Sequence, residues 1–373
     1  MKASVIRLIV LCLCLLAGHI HAVEPETTDV FRKNSDGYAC FRIPAIIQAK
    51  SGTLLAFAEG RKNSCSDSGN IDLVLKRSTD DGKTWSRPIV VWSDGSNTCG
   101  NPAPIVDRES GRIVLLMCWN DGSESEREIM EGTTKDTRRI FVTHSDDEGL
   151  TWSDPKEITS FVKQKDWTWY ATGPCHGIQL QTEKYKGRMV VSANHAKVGS
   201  KAYHAQLLYS DDRGENWKLG GVVREAGGNE SSVAELSDGT LMLNMRNYNR
   251  KEGKCRSYVL SRDGGETVSE TDYLSDLIEP ICQGSLINYE KDGKPTSCLL
   301  FSNPASVEKR ERMSVRLSRD DGKTWQECRE VYAGPSAYSD LVVLGDGRVG
   351  LLYELGEKDA YERIGFTLLP REE

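Results

Sequence analysis

The sequence is poor in proline, with 12 in 373 residues, in phenylalanine and methionine, with 7 of each, and in histidine, with 6. So little proline excludes a collagen-like chain, and 38% hydrophobic residues exclude a disordered one, because that content supplies a core. Beyond residue 22 no apolar run is long enough to cross a bilayer. Positive charge is not in excess either: 48 Lys and Arg face 55 Asp and Glu, a net charge of -7. A nucleic-acid partner is therefore not expected, since binding phosphates needs a basic stripe. There is no C-x-x-C pair and no metal-type spacing of histidines, so no metal and no other cofactor is expected. Helical periodicity is nearly absent. Glycine is plentiful, at 34 residues, and with Asn and Asp it bounds short runs rich in Val, Ile, Leu and Phe.

The first 22 residues read as an export signal. Lys2 and Arg7 give a positive start, residues 8–17 an apolar run too short to span a membrane, and Ile20-His21-Ala22 a cleavage site. The mature chain, residues 23–373, is then one domain that is secreted or periplasmic. Removing Cys12 and Cys14 leaves nine of the 11 cysteines, an odd number, so at least one thiol of a monomer stays free. Their pairing and the oligomeric state are open.

A repeated turn organises the chain. S-x-D-x-G-x-T-W occurs in full at residues 78–85, 145–152 and 318–325, and in weaker form at 210–217 and 261–268. The Asp positions, 80, 147, 212, 263 and 320, step by 67, 65, 51 and 57 residues. Asp and Ser side chains bond backbone N–H groups in a tight turn, Gly supplies positive φ, and Trp offers a large apolar plate. Six pairs of β-type runs lie between the turns: 53–59 with 71–78, 112–119 with 139–145, 188–194 with 204–210, 240–246 with 256–261, 296–302 with 313–318, and 348–354 with 363–369. The first five pairs end in the Asp turn and the sixth at the C-terminus. This pattern predicts an all-β chain, a six-bladed β-propeller with four-stranded antiparallel blades.

The turn is an Asp box, and Phe41-Arg42-Ile43-Pro44 is the motif that opens sialidases. On these motifs, from about Tyr38 to Leu369, the chain resembles the exo-α-sialidases (neuraminidases) of glycoside hydrolase family 33. Segments such as Phe301-Ser302-Asn303-Pro304-Ala305 are similar to the lysosomal-type animal enzymes. The resemblance implies release of terminal α-linked sialic acids from glycans, with retention and a tyrosine nucleophile. Asp67 would be the acid and base, Glu230 the base that activates Tyr338, and Tyr338 the nucleophile. Arg42, Arg246 and Arg310 would grip the substrate carboxylate, Glu354 would orient Arg42, and Arg61 would contact the sugar. Arg312, Asp72 and Glu235 are the rivals of Arg310, Asp67 and Glu230.

Strand parity places these eight residues together. The start of a blade's first strand, the end of its second and the start of its third lie at one rim, and the Asp box at the other. Arg42, Arg61, Asp67, Glu230, Arg246, Arg310, Tyr338 and Glu354 all fall on the first rim. The chemistry fits as well. Guanidinium groups stay charged and bond a carboxylate in parallel. A carboxylate nucleophile would meet the substrate's own carboxylate with a repulsion of about 4 kcal/mol at ~4 Å and an effective dielectric of about 20, which a neutral phenol avoids.

Asn101 and Trp119 are candidates for the N-acetyl pocket, and Trp167 and Trp169 for the leaving-group side. Cys175 stands where the family usually has glycine. The sequon Asn229-Glu230-Ser231 would put a glycan in the mouth, so it is expected to be unoccupied in a bacterial secreted or periplasmic protein. A transferase of the same fold would keep every residue named, and an Asp-box binding propeller would need none of the Asp, Glu and Tyr set.

Overall fold

The computed structural model describes residues 26–325 and 327–371, so the signal expected at residues 1–22 lies outside the described residues. The fold is all-β. Its helical elements, Glu126–Glu131, Thr159–Val162 and the 3-10 turn Glu183–Tyr185, are each a turn or two long. Among the described residues no helix is long and apolar enough to cross a membrane.

Gly228–Glu235, Leu241–Asn247, Cys255–Ser261 and Asp272–Ile278 form one four-stranded antiparallel sheet in chain order. The same meander recurs elsewhere. Cys40–Gln48, Leu54–Arg61, Ile71–Ser78 and Ile89–Trp92 pair in sequence, as do Thr98–Val106, Ile113–Asn120, Arg139–Ser145 and Lys156–Glu157. The long strand Glu327–Val343 serves two sets: its first half pairs with Glu311–Ser318 and its second half with Val349–Leu355. Thr27–Arg32 pairs with Arg363–Leu369, so the first and last described strands share a sheet. That partner was not among the sequence's strand pairs.

The strands read as nearly unbroken apolar runs because neighbouring sheets cover both of their faces. Leu54–Arg61 is buried at every position. Leu55, Phe57 and Leu75 pack on Ile113, Leu115 and Met117 of the next set, and Ala56 and Val74 pack on Leu352 and Phe366 of the last. The Asp boxes tie this packing to the turns. In the second box Asp147 accepts hydrogen bonds from Thr151 N (2.8 Å), Thr151 Oγ1 (2.5 Å) and Ser145 Oγ (2.8 Å). The weaker copies at Asp212 and Asp263 make the same set of bonds, with Asn216 and Thr267 as donors. Gly149 has φ 82°, and a Cβ there would lie 2.6 Å from Leu75 and 2.7 Å from Leu55 of the preceding set. Trp152 packs edge-on against Phe57 of that same set.

Two cavities sit at opposite ends of the inner strands Cys40–Gln48, Thr98–Val106, Gly228–Glu235 and the second half of Glu327–Val343, which line both. One, of about 620 Å³, is lined by Ile47, Val106, Gln179, Glu235, Asn288 and Val343. The other, of about 280 Å³, holds the residues considered next.

Candidate active site

Seven of the eight residues singled out in the sequence line the smaller cavity: Arg42, Arg61, Asp67, Glu230, Arg246, Arg310 and Tyr338. Glu354 lies beneath them, fully buried. It accepts from Arg42 Nε at 2.7 Å, from the Ile43 N–H at 3.0 Å and from the Tyr338 N–H at 3.1 Å. One carboxylate thus joins the start of one inner strand to the middle of another.

Tyr338 donates its hydroxyl hydrogen to Glu230 Oε1 at 2.5 Å. Arg246 Nη1 donates to Glu230 Oε2 at 2.5 Å and to the Tyr338 oxygen at 3.1 Å. Burial and then the Glu230 charge push the phenol well above its ordinary value, although Arg246, Arg310 and Arg42 pull the other way. The phenol is therefore neutral at rest, with its proton already directed at a base. The Arg42 guanidinium lies 5.0 Å from the Tyr338 ring centroid and 3.9 Å from that of Tyr361, and Arg310 Nη1 donates to the Tyr361 hydroxyl at 2.9 Å. All three arginines thus approach Tyr338, Arg246 at its hydroxyl and Arg42 and Arg310 at its ring, the Arg310 guanidinium 5.5 Å from the centroid.

Asp67 is placed differently. It sits on the loop between Leu54–Arg61 and Ile71–Ser78, and its side chain is 68% exposed. Its carboxylate meets Arg61 Nη1 at 2.8 Å and Arg42 Nη1 at 3.6 Å. Desolvation by the cavity wall raises its pKa, but Arg61 and then Arg42 outweigh that and hold it below the usual carboxylate range. Arg61 is itself fixed by Glu59, at 2.7 Å and 3.1 Å, and by the Cys65 carbonyl at 2.6 Å.

The rivals lie elsewhere. Arg312 pairs with Glu330 outside the cavity, Asp72 accepts from Tyr38 at 2.8 Å, and Glu235 accepts from the Gln181 and Thr182 N–H groups at the other cavity. Of the three candidate tryptophans, only Trp169 lines the site. Trp119 instead bonds Asp94 at 2.7 Å, and Trp167 is buried, stacked 3.4 Å from His195. Trp167 belongs to the core around Tyr170 and Val162, and the partly exposed Trp119 ring lies under the Arg139 guanidinium. Asn101 does line the cavity, with its N–H bound to Glu59. Cys175 has φ 147°, a conformation that favours glycine, and its thiol packs under the Ser231 carbonyl next to Glu230. Asn229 is 5% exposed and donates to Asn194, which leaves no room for a glycan.

Sequence reasoning missed Glu126, Arg138, Tyr248 and Tyr361, all in the cavity wall. Arg138 lies 4.2 Å from the Trp169 ring centroid and donates to Asn101 Oδ1 at 2.7 Å. Glu126 accepts from the Tyr203 hydroxyl at 2.6 Å. Its signal was readable: Ser125 and Glu128 form a capping box that starts the short helix carrying Glu126. No local pattern marks the other three.

The BNR repeat-like domain family matches residues 52–351. The sialidase of Micromonospora viridifaciens is 32% identical over 93% of this chain and 55% of its own length, so the chain spans little more than half of that relative. An exo-alpha-sialidase of Arthroderma benhamiae is 31% identical over 88% of this chain and 80% of its own. The solved structure of Hadza microbial sialidase Hz136 is similar with a TM-score of 0.82 and 32% identity, covering 92% of this chain and 68% of that one. With the repeat family spanning most of its length and a relative of this similarity covered over four-fifths, the chain belongs to the sialidase family of BNR-repeat proteins.

Proposed function

We propose that this protein is a retaining exo-α-sialidase that hydrolyses terminal sialic acids from glycoproteins, glycolipids and oligosaccharides. The observation that carries this reading is the Tyr338–Glu230 hydrogen bond in a cavity that Arg42, Arg246 and Arg310 also line. The substrate carboxylate docks on Arg42, Arg246 and Arg310, which places the anomeric carbon over the phenol. Glu230 takes the phenolic proton as Tyr338 Oη attacks, while Asp67, which takes up a proton as the substrate carboxylate neutralises Arg42 beside it, gives that proton to the departing glycosidic oxygen. Asp67, now a carboxylate, then takes a proton from water, which attacks the anomeric carbon and frees Tyr338 as Glu230 returns its proton. Two inversions give net retention. Glu126, Asn101, Arg138 and Trp169 face the rest of the sugar, and the cavity, closed below by the Arg42–Glu354 pair, admits one terminal residue.

The sheets are read as six four-stranded blades around an axis, because six strands contribute to the lining of the larger cavity and the first strand pairs with the last. Residues 23–373 form the catalytic unit, exported by residues 1–22. Export to a secreted or periplasmic location agrees with a disulfide between Cys40 and Cys65. Mass spectrometry of the protein treated with a 3-fluorosialyl fluoride tests the mechanism. The expected result is a sialosyl adduct on the Tyr338 peptide that Tyr338→Phe does not form; an adduct on Glu230 or Asp67 would overturn it.

A further inference from the structure

Asp67 reaches the cavity from a loop with little else to hold it. Residues 63, 64, 66 and 67 are exposed, and the hydrogen bonds inside the loop are three: one from Lys62 N to the Asn70 carbonyl closes its base, and those from Ser66 N to Ser64 Oγ and from Ser68 N to Ser66 Oγ are all that order the stretch around Asp67. Yet Cys65, two residues before Asp67, is covalently bound to Cys40, two residues before Arg42. Cys40 is buried on the inner strand and directly opposite Arg61 in its register. The Cys65 carbonyl also accepts from Arg61 Nη1, the same nitrogen that pairs with Asp67. The loop is therefore welded to the strand that carries one carboxylate-binding arginine and clipped to the arginine that holds the acid. Among the described residues this is the one disulfide; Cys99, Cys118, Cys175, Cys255, Cys282 and Cys328 are thiols.

We propose that the Cys40–Cys65 disulfide is a positioning element for Asp67, so that protonation of the leaving group, and not capture of the sugar, depends on the oxidised state. This rests on the sialidase reading above. Proton transfer needs the acid within hydrogen-bond reach of the glycosidic oxygen, and a displacement of about 1 Å costs roughly 100-fold in rate. The phenol, its base and the three arginines stand on inner strands or strand ends and stay in place when the loop is released. A dithiol reductant supplies the two electrons and two protons that convert the bond to Cys40 and Cys65 thiols, and itself closes to a cyclic disulfide.

The test compares oxidised wild type, wild type reduced by dithiothreitol, and Cys65→Ser. Each is assayed by kcat/KM on α2-3-sialyllactose, whose leaving alkoxide needs a proton, and on 4-nitrophenyl sialoside, whose leaving group scarcely does. Affinity for 2-deoxy-2,3-didehydro-N-acetylneuraminic acid, which has no leaving group, reports capture. Breaking the bond is expected to lower kcat/KM on sialyllactose by about 10- to 100-fold, with less than about a threefold change on the aryl substrate and in analogue affinity. In an Asp67→Ala background the same reduction should change nothing further. Equal losses on both substrates, weakened analogue binding in step with them, or no loss at all would overturn the proposal. Oxidised wild type that turns over neither substrate would overturn the sialidase reading itself, and this inference with it. Because Cys65 is half-buried and Cys40 fully so, Cys65→Ser spares the inner strand, and reduction of the already folded protein needs no substitution.

Discussion

The two sides of the small cavity are built in opposite ways. Tyr338 and Glu230 stand on inner strands, are largely shielded from solvent and hold each other at 2.5 Å. Asp67 stands on a loop, is 68% exposed, and is steered by cations and a disulfide two residues away. The difference follows from what each side does in the proposed reaction. The nucleophile always meets the same atom, so rigidity and a dry surrounding serve it. The acid must meet leaving groups of varied shape and later a water, so it sits at the open edge, where position has to be imposed by tethers and not by packing.

Removing the rigid side should cost the most. Tyr338→Phe keeps the ring that packs against Ile43 and Ala337 and loses the nucleophile. A fall of at least about 1000-fold in kcat with an unchanged circular dichroism spectrum is expected. Glu230→Gln should cost roughly 100- to 10,000-fold, and by the same factor on sialyllactose and on an aryl sialoside, because it acts on the attacking atom. Asp67→Ala is expected to separate the two substrates, with a loss of about 100-fold on sialyllactose and a much smaller one on the aryl sialoside; equal losses would place Asp67 with the nucleophile's machinery.

A subtler variant probes the charge on the open side. Arg61 is the largest of the cationic influences that depress Asp67. In kcat/KM the free enzyme must carry protonated Asp67, so activity falls as pH rises through its pKa. Arg61→Gln raises that pKa and should move the descending limb for sialyllactose to higher pH, leaving the profile for the aryl substrate where it was. The smallest effect on activity belongs to the far rim. Gly149→Ala forces a Cβ into a left-handed turn against Leu75 and Leu55, so stability should fall by about 1–3 kcal/mol in urea titration with kcat/KM of the folded protein unchanged.

The same contrast decides what could be read from the sequence. Strand runs and Asp boxes repeat, so periodicity exposed the sheets, and parity placed residues at strand ends, such as Arg42, Arg246 and Glu354, on one rim. Trp119 and Trp167 show the limit of that reasoning, because an aromatic ring near a motif says nothing about which way its strand turns it. Arg138 and Tyr361 come from connections whose path depends on neighbouring sheets, and the Cys40–Cys65 bond joins two residues 25 apart among several cysteines of similar context. Thr27–Arg32 was missed for a related reason: its partner is at the other end of the chain.

The most direct test of a tyrosine nucleophile acting with retention is time-resolved NMR of the products from α2-3-sialyllactose. Free sialic acid that appears first as the α-anomer, and only later equilibrates to β, is the predicted result. A β-anomer formed first, or an anhydro or transferred sialosyl product in place of free sugar, would contradict it.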